Sequence, residues 1–132
     1  ATIPSLTADP PMNRAVEMMS HELNITVREF TVAGIKHSSM FAHKWFIGTD
    51  DELNPETARD IIDNNLKILN DDYRVERIEA IKEIFVEVLP TKVFYQWMRD
   101  HGKEGAQNKF PRVIRAKQLE EWESYIQNFS SH

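Results

Sequence analysis

Apolar residues recur at helical spacing in several separate stretches of the 132-residue chain. Met12, Ala15, Val16, Met19 and Leu23 form one stripe, and the preceding Asp9-Pro10 reads as a helix cap followed by proline at the first helical position. Ala58, Ile61, Ile62, Leu66 and Leu69 form a second stripe behind Asn54-Pro55, with Asp60, Asp63 and Lys67 outside it. Asp71-Asp72 is placed to cap a short helical turn carrying Tyr73 and Ile78. Phe94, Trp97 and Met98 give a further helical face, which ends where Gly102 can take the left-handed conformation. Leu119, Trp122, Ile126 and Phe129 close the chain with a last amphipathic helix.

Between the first two stripes the period drops to two. Ile25 and Val27 alternate with polar residues, as do Phe30 and Val32, but the parity shifts between the pairs. A bulge near Arg28-Glu29 would reconcile them. Gly34 to Ser39 reads as a turn and Met40 to Ile47 as a second, aromatic-rich strand, so the two should form an antiparallel hairpin. Ile84 to Leu89 is a short, nearly all-apolar run, the pattern of a strand buried on both faces. Phe110 to Ile114 is expected as a short strand that Pro111 confines to a sheet edge. About four strands and five helices predict an α+β fold, a mixed sheet with helices packed against it in one small domain. Residues 1–23 read as an N-terminal arm or linker with the first helix, and 24–132 as the domain proper.

Composition narrows the function more by exclusion than by indication. A chain of this size buries roughly two-thirds of its unfolded surface, enough for one core. Cysteine is absent, which removes disulfides, thiolate metal sites and cysteine nucleophiles. The four glycines form neither a dinucleotide-binding nor a P-loop pattern, and neither a serine-elbow nor a zincin motif occurs. No apolar run approaches the ~18 residues of a membrane span. Histidines 21, 37, 43, 101 and 132 lack metal-ligand spacing, so no metal site is expected. The paired acids Asp50-Asp51 and Asp71-Asp72 read as caps, and Glu120-Glu121 as a solvated helix surface.

Charge is unevenly distributed. Sixteen basic and 21 acidic residues give a net −5. Yet Lys103, Lys109, Arg112, Arg115 and Lys117 face a single acid, Glu104, leaving that segment at +4. A short cationic segment on an acidic protein suits a local anion site, phosphate above all, better than a nucleic-acid track. An ordinary solvated loop is the plainer alternative.

The motifs of the second half point further. Asp63-x-x-Leu66-x-x-x-Asn70-x-Asp72-Tyr73-x-x-x-Arg77, Phe94-x-x-Trp97 and Gly105-x-Gln107-Asn108-Lys109-x-Pro111-Arg112 together resemble the C-terminal domain of the Gretchen Hagen (auxin-responsive promoter) family of acyl-acid amido synthetases, in its bacterial form. The aromatic strand His43-Lys44-Trp45-Phe46-Ile47 is also similar to the family's strand before the Asp-x-x-Leu helix. The resemblance covers most of the chain from about Asn24 onward. It implies a lid-type C-terminal domain of a longer, cytoplasmic, acyl-adenylate-forming ligase that uses ATP and Mg2+. Its partner would be an N-terminal ATP- and acyl-binding domain of the same polypeptide, and its substrates a small carboxylic acid and an amino acid or other amine. The fragment alone is not expected to be active or to hold a bound cofactor. By the same resemblance Lys109 is the catalytic lysine, while Gln107, Arg112, Lys103 and Gly105 contact the nucleotide or its phosphates. Gly102 and Gly105 would let the backbone approach the ligand. Tyr73 and Arg77 are expected to be structural, with Arg77 pairing to Asp63 or Asp72. Asn108 stands where the plant enzymes carry tyrosine, so plant substrate preferences do not transfer.

Two other classes compete with this one: a stand-alone module that binds an anion or a partner through the cationic segment, and a purely structural interaction domain.

Overall fold

The computed structural model describes residues 10–102 and 109–130. They form α1 (Pro10–Leu23), β1 (Glu29–His37), β2 (Met40–Gly48), α2 (Pro55–Leu69), α3 (Asp71–Glu79), β3 (Ile81–Leu89), α4 (Thr91–Asp100), β4 (Val113–Ile114) and α5 (Ala116–Ser130). The strands make one mixed sheet in the order β3-β2-β1-β4. β1 and β2 are antiparallel, whereas β2–β3 and β1–β4 are parallel. The α+β class, the four strands and the five helices match the expectation from sequence.

Successive side chains of a strand point to opposite faces, and here each face finds its own helical layer. Phe30, Val32, Trp45 and Ile47 pack with Met12, Ala15, Val16 and Met19 of α1, Ala58, Ile62 and Leu66 of α2 and Tyr73 of α3. On the other face Ala33 and Phe46 pack with Val93, Phe94 and Met98 of α4, Phe110, and Trp122 and Ile126 of α5. The first helix is thus part of the core, and the buried Asn65 amide donates to the Ala15 carbonyl at 3.1 Å, joining α2 to α1. Lys44 reaches from β2 to Glu123 of α5 at 2.7 Å, tying the second layer to the sheet.

Local chemistry sets the boundaries. Asn24 takes a φ of 54°, and the amides of Asn24 and Ile25 turn back to the carbonyls of His21 and Ser20 at 3.3 and 3.0 Å, ending α1 with a left-handed cap. Asn54 Oδ1 accepts from the amides of Glu56 and Thr57 at 2.9 and 3.1 Å, and Pro55 follows at the first helical position. The Gly102 backbone, at a φ of 66°, closes α4 as its sequence suggested.

Four expectations require correction. β1 pairs with β2 residue for residue from Glu29↔Gly48 to His37↔Met40, so the parity change at Arg28 reflects where the strand begins. The irregularity lies at Phe41/Ala42, in the pairing of β2 with β3. Gly34 lies within β1, and the hairpin turns at Ser38-Ser39 with Ser38 at a φ of 58°. α3 is capped by Asn70, whose side chain accepts from the Tyr73 amide at 3.1 Å, while Asp71 and Asp72 sit in its first turn. Finally, β3 is an edge strand with Phe85 to Val88 only half-buried; its apolar run extends the sheet without being covered on both faces. The Asp9 cap lies outside the described residues.

Candidate functional site

The cationic segment returns to the described residues at Lys109, which is exposed. The next residue, Phe110, is 1% exposed, and its ring lies 5.0 Å from Phe94, 4.7 Å from Trp97 and 4.5 Å from Trp122. An exposed lysine therefore stands directly beside an aromatic anchor. Burial of such a ring contributes about 1.5–3 kcal/mol, which fixes the backbone on one side of Lys109.

Arg112, two residues beyond Phe110, holds the same C-terminal side a second time. Its Nη1 donates to Glu29 Oε1 at 2.5 Å and to the Phe30 carbonyl at 3.2 Å, and its guanidinium lies 4.5 Å from the centre of the Phe30 ring. The Arg112 carbonyl accepts from the Val32 amide at 2.9 Å, and β4 then pairs Val113 with Val32 and Ile114 with Ala33. The side chains of this ion pair are 18% and 7% exposed. The arginine expected to contact nucleotide is thus committed to a buried carboxylate on β1. Sequence reasoning missed Glu29; an acid immediately before the Phe30-x-Val32 alternation was the available signal. Lys103, Gly105 and Gln107 lie outside the described residues.

Beside the aromatic anchor, α4 and α5 enclose a groove of about 660 Å³ lined by Trp97, His101, Lys117, Glu120, Ser124 and Tyr125. His101 stacks on Trp97 at 3.9 Å, with its Nδ1 2.7 Å from the Trp97 carbonyl. Tyr125 donates to Asp100 at 3.0 Å, and desolvation together with that carboxylate raises its pKa to about 12.

The other motif residues serve the opposite layer. Asp63 Oδ1 accepts from the Tyr73 hydroxyl at 2.6 Å and from Arg77 Nε at 3.0 Å, and Arg77 Nη1 donates to the Ile81 carbonyl at 2.7 Å. Arg77 pairs with Asp63, one of the two acids expected, and burial with the Asp63 bond raises the Tyr73 pKa. His43, 0% exposed, leaves both ring nitrogens without a hydrogen-bond partner. Burial, then Arg77, lowers its pKa from 6.5 to about 4. Asp50 accepts from the Thr91 amide at 3.1 Å and Asp51 from the Thr26 amide at 2.7 Å. Asp50 thus supplies α4 with the cap that Pro90 cannot. Among the described residues no three His, Asp or Glu side chains could hold a metal ion, and no helix is long and apolar enough to cross a membrane.

A mixed sheet between two helical layers thus carries an exposed lysine next to a buried aromatic ring. Residues 11–118 match the GH3 family C-terminal domain, and the chain belongs to that family as this domain. Among solved structures it is similar to GH3.15 acyl acid amido synthetase, with a TM-score of 0.67 and 16% identity over 92% of this chain and 25% of that one. It is likewise similar to AtGH3.15 acyl acid amido synthetase in complex with 2,4-DB, with a TM-score of 0.60 and 18% identity over 95% of this chain and 26% of that one. The chain spans about a quarter of these structural neighbours, and likeness at such identities speaks for the fold alone. A comparison with the curated proteins finds no match.

Proposed function

We propose that this chain is the lid domain of an ATP-dependent acyl-acid amido synthetase and that Lys109 stabilises the adenylation transition state. In the first half-reaction a carboxylate oxygen attacks the α-phosphorus of ATP. A new P–O bond forms, the bond to the α,β-bridging oxygen breaks, and pyrophosphate leaves with the electron pair. An amine then attacks the acyl carbon, AMP departs with its bonding electrons, and the amine loses a proton to give the amide. Negative charge grows on the bridging oxygen only as that bond breaks, so a cation brought there favours the transition state over bound ATP. A domain that closes over the site also excludes the water that would hydrolyse the adenylate.

The observation that carries this reading is the exposed Lys109 between the buried Phe110 anchor and the solvent side of the domain. The acid and ATP are assigned to an N-terminal domain of the same polypeptide, in the cytoplasm. Mg2+ would accompany the ATP phosphates in that domain. Lys103, Gly105 and Gln107 are assigned to nucleotide contact in the same segment.

The test is exchange of labelled pyrophosphate into ATP by the full polypeptide, with a panel of carboxylic acids that begins with 2,4-DB. With whichever acid supports exchange, Lys109→Ala is expected to slow it by about 10²–10³-fold, the usual scale for losing one electrostatic stabiliser. Exchange at the parent rate removes Lys109 from the reaction.

A further inference from the structure

We propose that Glu29 and Arg112 are positioning residues that hold Lys109 in its working place; this rests on the role assigned to Lys109 above. β4 is only two residues long, and so short an edge strand closes few ladder bonds of its own. The segment is nevertheless held along its length by side chains. Phe110 enters the aromatic cluster of α4 and α5, and two residues later Arg112 enters the seam where β1 begins.

Four contacts meet at that arginine. Its Nη1 group serves Glu29, the Phe30 carbonyl at 3.2 Å and the Phe110 carbonyl at 3.4 Å, while its plane lies over the Phe30 ring at 4.5 Å. One side chain thereby ties the backbone just after Lys109 to the first two residues of the hairpin. Its bond to Phe110 also spans Pro111, whose fixed φ limits the turn between them. Lysine has no flat guanidinium to lay over the Phe30 ring while one nitrogen serves the three oxygens, and so does not reproduce this set.

Glu29 is the other half. It lies on β1 opposite Gly48, 6% exposed, and an uncompensated carboxylate would be costly there. The pair is therefore formed together, and it fixes the register of β4 against β1 through the Val32–Arg112 backbone bond at 2.9 Å. The closest placement of a reacting group matters to within about an ångström, which is the freedom this clamp removes from residue 109.

The experiment compares Glu29→Gln, Arg112→Lys and Lys109→Ala in the full polypeptide, with hydrogen exchange read by mass spectrometry on the peptide spanning β1 and pyrophosphate exchange read as kcat and KM for ATP. Glu29→Gln is expected to speed exchange of that peptide tenfold or more while peptides from α2 keep their protection. Its kcat should fall at least tenfold with KM for ATP within twofold of the parent. In the Lys109→Ala background, adding Glu29→Gln should cost nothing more, since the pair acts through that lysine. Arg112→Lys repeats the pattern and serves where Glu29→Gln fails to fold. Unchanged hydrogen exchange overturns the clamp. So does parental kcat in Glu29→Gln while Lys109→Ala is slow, or an additive loss in the double variant. A raised KM with parental kcat in Arg112→Lys marks it as a nucleotide contact and likewise overturns the positioning role. If Lys109→Ala itself exchanges at the parent rate, it is the assignment of Lys109 that has failed, and the positioning role falls with it.

Discussion

Replacing His43 by leucine should remove a pH dependence that the buried ring imposes on stability. His43 lies on β2, facing Tyr73 with ring centres 6.2 Å apart, and neither of its nitrogens finds a partner. Burial lowers its folded-state pKa most, Arg77 adds to that and Asp63 opposes it, so the value falls from 6.5 to about 4. The folded protein thus holds the neutral ring, whereas the unfolded chain takes up a proton below about pH 6.5. Stability is fully present above that pH and is lost as pH falls towards 4. At about 1.4 kcal/mol per pH unit the whole effect is about 3 kcal/mol, of which about 2 kcal/mol is lost between pH 7 and pH 5. Set against the 5–15 kcal/mol typical of a domain, that is a large fraction. Urea titrations of parent and His43→Leu at pH 7 and pH 5 measure it, and comparing the two proteins cancels the carboxylates they share. The parent should lose about 2 kcal/mol more than the variant across that range. Parallel losses would show that the imidazole finds a proton acceptor or water in the folded state.

Two further changes probe the packing of each layer. Gly48→Ala would place a β-carbon 2.8 Å from the Phe94 ring and 3.2 Å from the Glu29 carbonyl, and overpacking of this kind costs about 1–3 kcal/mol; an unchanged denaturation midpoint would contradict it. Tyr73→Phe deletes the 2.6 Å bond to Asp63, and losing a hydrogen bond to a charged group should cost about 1.5–3 kcal/mol by the same titration.

Legibility followed the range of the interaction. The helices were readable because a stripe such as Ala58-Ile61-Ile62-Leu66 records its own period, and Asn54-Pro55 or Gly102 records its own end. Strand limits were harder: Gly34 reads locally as a turn, yet its backbone pairs with His43 inside the hairpin. The apolar run of β3 reads as fully covered because sequence period reports side-chain chemistry and not the neighbour on the outer side. Within the site, Lys109 and Arg112 were visible as a charge cluster, but their opposite fates were not. Arg112 meets Glu29 across 83 positions of chain, and nothing local distinguishes it from its exposed neighbour Arg115. The same holds for His43, whose isolation depends on α3 lying over β2.

The outer side of β3 leaves a row of backbone donors and acceptors that another polypeptide could zip onto. Lys82 and Glu83 stand exposed at its start, and Glu87 reaches Lys44 at 3.8 Å further along. A foreign strand pairing there would set its own side chains beside those charges, which disfavours growth of the sheet past this edge.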